Sequence, residues 1–275
     1  MIKLSKKIEG KVKCLLCPNY CLLGFGEKGR CLSRISDGEE ITLNSYGEIS
    51  SMAVESLSKK PIVEFLKGSK VLSICNLSLC NMRCPFCENF SISQQESSNN
   101  KYYNICDIIS LAKKYNCESI CMTYNEPTIS YEFLMDLAAE VHSNKLYFIL
   151  KTNGYINKEP WKEICSVTDA MNIDFKGSEE KYLNILGAKE YVIKDRIKEA
   201  YNSGTHIEIS IPLYYNDIED EVGSIGEFLS SIDKNIPCHL LKIYSSYKHN
   251  ETTKDIDIEK AKEVLGKYMK NIYCH

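Results

Sequence analysis

The stretch Cys80-Asn81-Met82-Arg83-Cys84-Pro85-Phe86-Cys87 sets three cysteines within eight residues, directly after a β-like run at 70–74. Thiolates are soft ligands, and spacings this short let one loop wrap one metal centre. A [4Fe–4S] cube takes four ligands. Three of them leave one iron open for a substrate or cofactor, as a catalytic zinc keeps a vacant position. A zinc knuckle and three unrelated buried cysteines are the competing readings of the same residues. The rest of the chain is organised around this loop.

The chain has 275 residues, 44% hydrophobic and 26% charged, which suits one large soluble domain with an appendage. Its net charge of −3, from 34 basic and 37 acidic residues, offers no overall basic field for nucleic acid. The N-terminus is basic without an apolar core segment, and no run approaches the ~18 apolar residues of a membrane span. These features read as a cytoplasmic protein with no membrane partner. Fourteen cysteines are too many for chance in such a chain, and seven fall in two tight groups. One is the loop above; the other is Cys14, Cys17, Cys21 and Cys31. The remaining seven, Cys75, Cys106, Cys117, Cys121, Cys165, Cys238 and Cys274, are scattered on apolar segments, where free cysteine is a good small core residue. Cys75 lies nearest the loop and stands out from the others.

Four cysteines in residues 14–31, with glycines between them, form a compact knuckle with little room for an apolar core. A tetrahedral thiolate site supplies the folding free energy that such a segment lacks. Zinc and a second iron–sulfur cluster both fit the ligand count. Residues 1–67 read as a Cys-rich N-terminal metal-binding subdomain with short strands near 40–43 and 48–52. From residue 68 onward β-like and helical runs alternate. Strands are expected at 70–75, 118–124, 145–151, 169–175, 206–213 and 238–244, with helices between them, and the Ser/Asn-rich 93–100 reads as a loop. Six strands separated by helices predict an α/β fold with a parallel sheet, too short for an eightfold closure.

Active sites of parallel α/β barrels gather at the C-terminal ends of the strands. Short motifs stand at those ends: Thr123-Tyr124-Asn125-Glu126-Pro127-Thr128, Lys151-Thr152-Asn153-Gly154 and Asp174-Phe175-Lys176-Gly177. Further along come Ile211-Pro212-Leu213-Tyr214-Tyr215-Asn216-Asp217 and Pro237-Cys238-His239-Leu240. Each alone has a plain reading: a helix start, a turn, or a core histidine. In series they carry information. The CxxxCxΦC spacing of 80–87 resembles the signature of radical S-adenosylmethionine (SAM) enzymes. The CxxCPxxC…GxxGxC pattern of 14–31 and the TYNEP segment are similar to the AmmeMemoRadiSam-system branch of that family. That branch is related to the pyruvate formate-lyase activating enzymes.

The resemblance covers roughly residues 13–250 and implies an open, partial (β/α)6 barrel. It implies that Cys80, Cys84 and Cys87 ligate a [4Fe–4S] cluster whose open iron is chelated by SAM. It also implies SAM contacts at Asn125, Glu126, Lys151, Thr152, Asn153, Asp174, Lys176 and His239. At Lys151 the activases have an aspartate beside a monovalent cation, so the lysine ammonium is expected there as a point charge, or in solvent. Tyr214 and Tyr215 replace a proline–glycine turn of the family and predict a more aromatic pocket. The implied reaction is reductive cleavage of SAM to a 5′-deoxyadenosyl radical that abstracts hydrogen from a small-molecule or protein substrate. It implies an external one-electron donor of flavodoxin or ferredoxin type. The alternatives are a glycyl-radical-enzyme activase, or a non-catalytic iron–sulfur electron-transfer or metal-carrier protein.

Overall fold

A computed structural model of the chain describes residues 2–77, 79–95 and 100–275; of the loop at 93–100, residues 96–99 lie outside the described residues. The chain opens with an antiparallel sheet of β1 (Ser5–Ile8), β2 (Lys11–Cys14) and β3 (Leu22–Leu23), followed by a hairpin of β4 (Arg34–Ser36) and β5 (Ile41–Leu43). β6 (Glu48–Ser56) then pairs antiparallel with β7 (Lys70–Asn76). After α1 (Phe90–Ser93) and β8 (Lys101–Tyr102) the chain alternates: α2 (Ile105–Lys114), β9 (Ser119–Met122), α3 (Tyr131–Ser143), β10 (Tyr147–Thr152), α4 (Lys158–Ser166), β11 (Ala170–Asp174). It continues through α5 (Glu179–Lys181), α6 (Glu190–Asn202), β12 (His206–Leu213), α7 (Ile218–Ser230), β13 (Cys238–Lys242), α8 (Asp255–Leu265) and β14 (Ile272–Cys274).

The main sheet has the order β14-β13-β12-β11-β10-β9-β7-β6-β8, and every pair from β7 to β14 is parallel. All six expected strands are present in sequence order. The structure adds β14 as a further parallel strand, whose three residues are too few to show any periodicity. The strand expected near 48–52 is the longer β6, which joins this sheet with β8 as an antiparallel edge. Directly after β11 the helix is only one turn, α5, continued by a π-helical turn at Tyr182–Leu186 that ends where Gly187 takes φ +66°.

The strands are buried on both faces, as parallel sheets require. Ile120, Phe148, Leu150, Ile173 and Ile209 face outward into the main core beneath the helices, with Phe133, Leu134 and Leu137 of α3 packed among them. Val71, Cys121, Ile149 and Ala170 face inward and close on Leu57 and Ile62. Residues 57–66 thus plug the barrel floor. They are held there by polar bonds: Asn172 Nδ2 donates to Pro61 O (2.7 Å), and the Lys60 ammonium meets Glu55 at 2.5 Å. Glu208, inside β12 and fully buried, accepts from the amides of Val63 (3.0 Å) and Glu64 (2.9 Å), from His206 (2.9 Å) and from His239 (2.7 Å).

The division read at 67/68 therefore crosses the main sheet, because β6 and the floor plug lie on the barrel side of it. The first 43 residues do sit apart as strands, but not as a core. Val12, Leu16, Leu23 and Ile41 join the barrel's own apolar cluster. Arg34, 1% exposed, forks onto Glu132 of α3 at 2.7 and 2.8 Å and fastens the module to the barrel.

Burial opposes ionisation of Glu208, yet its histidine and amide donors hold its pKa down to about 2. An unfolded glutamate titrates near ~4.3, so this stabilisation is complete above that pH and is lost as pH falls toward 2. Glu208→Ala leaves the floor's donors unpaired and should cost ~3–5 kcal/mol in urea unfolding. Glu208→Gln should cost less, and should flatten the loss of stability between pH ~4.3 and 2.

Candidate functional site

A cleft of about 850 Å³, counted with its open mouth, lies at the C-terminal ends of the parallel strands. The loop after β7 brings Cys80, Cys84 and Cys87 into its wall. The strand ends bring Thr123–Glu126 after β9, Lys151–Asn153 from β10, Asp174 and Lys176 from β11, Pro212 from β12, and Leu241 and Ile243 from β13. Of the SAM contacts that the resemblance implied, His239 alone is absent from this lining. It stands lower on β13, fully buried, between Glu208 and His275 (Nδ1 to Nε2, 2.8 Å). Leu241 and Ile243 share its inward face two and four residues on, so strand alternation counted upward from His239 leads to the cleft wall.

The three thiols have neighbours that suit sulfur ligands. Asn153 Nδ2 and the Met82 amide point at Cys80 Sγ (3.6 and 3.5 Å), and Ser93 Oγ lies 3.1 Å from Cys87 Sγ. Burial pushes Cys80 well above the usual thiol range and Cys84 up to about 11, the Lys176 ammonium working against the latter shift. Buried thiols gain from coordination because a metal takes up the thiolate charge that burial disfavours.

Charge in the cleft is arranged around Asp174, whose oxygens meet Lys151 Nζ at 3.0 Å and Lys176 Nζ at 2.7 Å. Burial opposes its ionisation, but Lys151 and Lys176 hold its pKa down to about 2. Burial likewise works against the charge of Lys176, and Asp174 with the Cys84 sulfur keeps its pKa above the ordinary lysine range. Lys151 is only partly exposed. Its ammonium turns into the barrel, onto Asn172 (2.7 Å), Asp174 and Ser210 (3.4 Å).

Glu126 behaves differently from an open ligand. It is 1% exposed, and its carboxylate accepts from the Thr128 amide (3.1 Å), Thr128 Oγ1, Thr152 Oγ1 and the Asn153 amide (each 2.7 Å). Burial raises its pKa in spite of those donors. It is a staple tying the end of β9 to the end of β10. Just before it Tyr124 adopts φ +76°, a costly conformation for an aromatic residue. The Tyr124 hydroxyl donates to Glu55 (2.8 Å) and its ring lies 4.0 Å from Lys60 Nζ, so the floor plug holds the turn. Asn125 Nδ2 donates to Asn76 O (2.5 Å). Cys75 is buried beneath this turn and does not line the cleft.

The aromatic pocket expected from Tyr214 and Tyr215 is not formed by them directly: neither lines the cleft, but Tyr214 stacks behind the lining Phe86 at 4.0 Å and donates to Lys176 O (2.7 Å), with Tyr215 buried beside it. Glu88, Asn89, Ser93 and Gln94, on the far side of the cysteine loop, line the cleft with no advance signal beyond their closeness to Cys87.

Residues 77–229 match the family model of the Radical SAM superfamily. The chain belongs to the radical SAM superfamily. It is 32% identical over 249 residues to an uncharacterized protein of Methanocaldococcus jannaschii, spanning 89% of this chain and 74% of the relative. A second protein of that organism, provisionally named a glycyl-radical enzyme activating enzyme, is 27% identical over 206 residues, or 71% of this chain and 77% of that one. In fold the chain is similar to Streptococcus suis SuiB bound to its precursor peptide SuiA, with a TM-score of 0.62 at 14% identity, covering 80% of this chain and 51% of SuiB.

The second cysteine group is built into the same neighbourhood. The amides of Leu16, Asn19 and Ser33 point at the sulfurs of Cys14, Cys17 and Cys31, and the Arg30 amide at Cys21 Sγ (3.3 Å). Burial raises Cys14 and Cys31 and pushes Cys17 up to about 12. Among the described residues no three His, Cys, Asp or Glu side chains converge on a single ion. Cubane ligands each bind a different iron and need not converge, whereas four thiolates on one zinc must. Asn81 lies between the two groups: it follows Cys80, its side chain reaches Cys17, and its carbonyl accepts from Asn19 Nδ2 (3.1 Å).

If Glu126 is a staple, Glu126→Ala should lower the stability of the protein without any ligand by about 2–4 kcal/mol, read by thermal unfolding. A carboxylate reserved for a ligand would leave that stability unchanged.

Proposed function

We propose that the chain is an enzyme that reductively cleaves SAM and uses the product radical to take hydrogen from a substrate. The observation that carries this reading is the opening of three thiols of one loop into the cleft where five strand ends meet. Cys80, Cys84 and Cys87 hold a [4Fe–4S] cluster with one iron left for SAM. Bound together, cluster and SAM supply a one-electron cleavage of the sulfonium to methionine and a 5′-deoxyadenosyl radical.

The chain's residues bind and orient. Lys176 meets the SAM carboxylate or a ribose hydroxyl, and Asp174 accepts hydrogen bonds while fixing the lysine's direction. Lys151 supplies a fixed positive charge beneath Asp174, in the place where the activases use a monovalent cation. The backbone of the turn at 123–125, with Asn125, faces the SAM amino group; Glu126 and Thr152 hold that turn and Asn153 in register. Phe86, backed by Tyr214, closes one wall against water. His239 acts from below, as part of the floor that supports β12 and β13. A one-electron donor reduces the cluster from outside. The first cysteine group holds a metal centre of its own, zinc or an auxiliary [4Fe–4S] cluster. The relative named for glycyl-radical enzyme activation favours one narrower reading, a backbone glycine of a partner protein as the hydrogen source.

Anaerobic reduction with dithionite in the presence of SAM should yield 5′-deoxyadenosine, measured by liquid chromatography. Replacing any one of Cys80, Cys84 or Cys87 by Ala should abolish it while the circular-dichroism spectrum stays that of the folded protein. Undiminished cleavage in the triple variant sinks the assignment. Absence of 5′-deoxyadenosine from a fully loaded protein points instead to electron transfer or metal carriage.

Metal analysis of the same triple variant reports on the other centre. Zinc near one per chain assigns a structural site to Cys14, Cys17, Cys21 and Cys31, and iron near four assigns an auxiliary cluster. A variant with neither metal has no second site.

A further inference from the structure

The charge of the chain is unevenly placed. Residues 1–34 hold eight basic and two acidic side chains, a net of +6, so the other 241 residues carry −9 and the whole chain −3. The β1–β2 hairpin shows where this excess goes. Lys6 lies directly opposite Lys13 across the hairpin, and Lys11 stands on the same face as Lys13. Like charges directly opposite in a sheet destabilise it. Among the described residues none of these three lysines has an ion-pair partner, whereas Lys7, on the other face, meets Glu39 at 2.5 Å. A hairpin that keeps three unneutralised lysines on one face bears a stability cost that its own fold does not require.

That face runs into a groove. Lys13 Nζ lies 4.6 Å from the ring centre of Tyr20, and Tyr20 with Ile2, Leu15 and Pro18 forms the groove's near wall. Exposed Lys158, Lys189 and Tyr191 stand on its far wall, Lys158 within 3.7 Å of Glu199; its acidic members are Asp195 and Glu159, the latter paired with Lys162. The result is an apolar and aromatic floor beside a surplus of ammonium groups. This is the pattern of a face that meets an acidic protein surface.

The groove also sits over a short path to the cluster loop. Pro18, in its wall, adjoins Asn19, whose side chain donates to the carbonyl of Asn81 at 3.1 Å. Asn81 is bonded to Cys80 through the backbone, and its side chain reaches Cys17. None of the groove's residues lines the substrate cleft, so a protein seated here leaves the cleft mouth open.

We propose that this lysine face and groove are the docking surface of an acidic one-electron carrier protein, of flavodoxin or ferredoxin type. The electron enters the cluster loop through Asn19 and Asn81. In this step the reduced carrier loses one electron and the cluster held by Cys80, Cys84 and Cys87 gains it; no bond is made or broken. The inference rests on the radical SAM function proposed above, and its test separates the two.

The test compares the full chain, with its clusters reconstituted, and the variant Lys6→Glu/Lys11→Glu/Lys13→Glu. Two reductants drive 5′-deoxyadenosine formation: dithionite, and the hydroquinone of a flavodoxin with net negative charge. Binding of the oxidised flavodoxin is titrated separately at several salt concentrations. Expected are an unchanged rate with dithionite, a rate with flavodoxin lowered about tenfold or more, and flavodoxin binding weakened similarly with its salt dependence flattened. Equal flavodoxin binding and equal flavodoxin-driven rates in the two proteins overturn the proposal. So does a rate lost in the same proportion with both reductants, and so does a variant that loses only binding to RNA or to anionic lipid vesicles. If the unaltered protein forms no 5′-deoxyadenosine with dithionite, the enzymatic reading fails, and the flavodoxin titration still decides the docking surface.

Discussion

The interior of this barrel depends on one anion held between two cations. Asp174 takes Lys151 on one oxygen and Lys176 on the other, with Lys176 buried and the other two partly exposed at the cleft. Two ammonium groups that close repel each other, and the carboxylate between them offsets that repulsion; burial works against the charge of Lys176, and Asp174 keeps it charged. The pair geometry in turn sets where Lys176 stands, between the cysteine loop and Tyr214. It also places Lys151 so that Asn172 and Ser210 are drawn into the same network. The upper inward faces of β10, β11 and β12, at Lys151, Asn172, Asp174 and Ser210, are polar for this reason, above the apolar Ile149 and Ala170. A hydrophobic filling would serve stability as well, so the retained charges mark the site.

The same rule governs the floor. Parallel strands leave an open lower mouth, and residues 57–66 close it with apolar mass from Leu57 and Ile62. Glu208 pins that plug through two amides and two histidines. The floor is coupled upward through Lys60, Glu55 and Tyr124 to a turn in the cleft whose backbone conformation is strained. A strained turn persists only where its surroundings over-determine it, and here the plug supplies that constraint.

The N-terminal module follows a different logic. Its apolar residues are too few for a core and are lent to the barrel, and Arg34 locks it to α3. Its cysteines meet the cluster loop through Asn19 and Asn81, so the two sulfur groups form one contiguous region. The module brings the basic charge that the rest of the chain lacks.

What the sequence determined by itself is local. Cysteine spacing located both sulfur groups, and the alternation of apolar periods located six strands and their order, because spacing and periodicity act over a few residues. The motifs at 123–128, 151–154 and 174–177 were legible because parallel strands present their C-terminal ends to one side. Only the tertiary structure decided which way those side chains turn. Glu126 reads as a ligand in a motif, and packing makes it a staple; His239 reads as a cleft residue, and its height on β13 makes it part of the floor. Lys151 was open between two directions until Asp174 and Asn172 came within reach. The stacking of Phe86 on Tyr214, and the passage from Cys17 through Asn81 to Cys80, join residues far apart in the chain. Such contacts depend on burial and on distance in space, which no local pattern encodes.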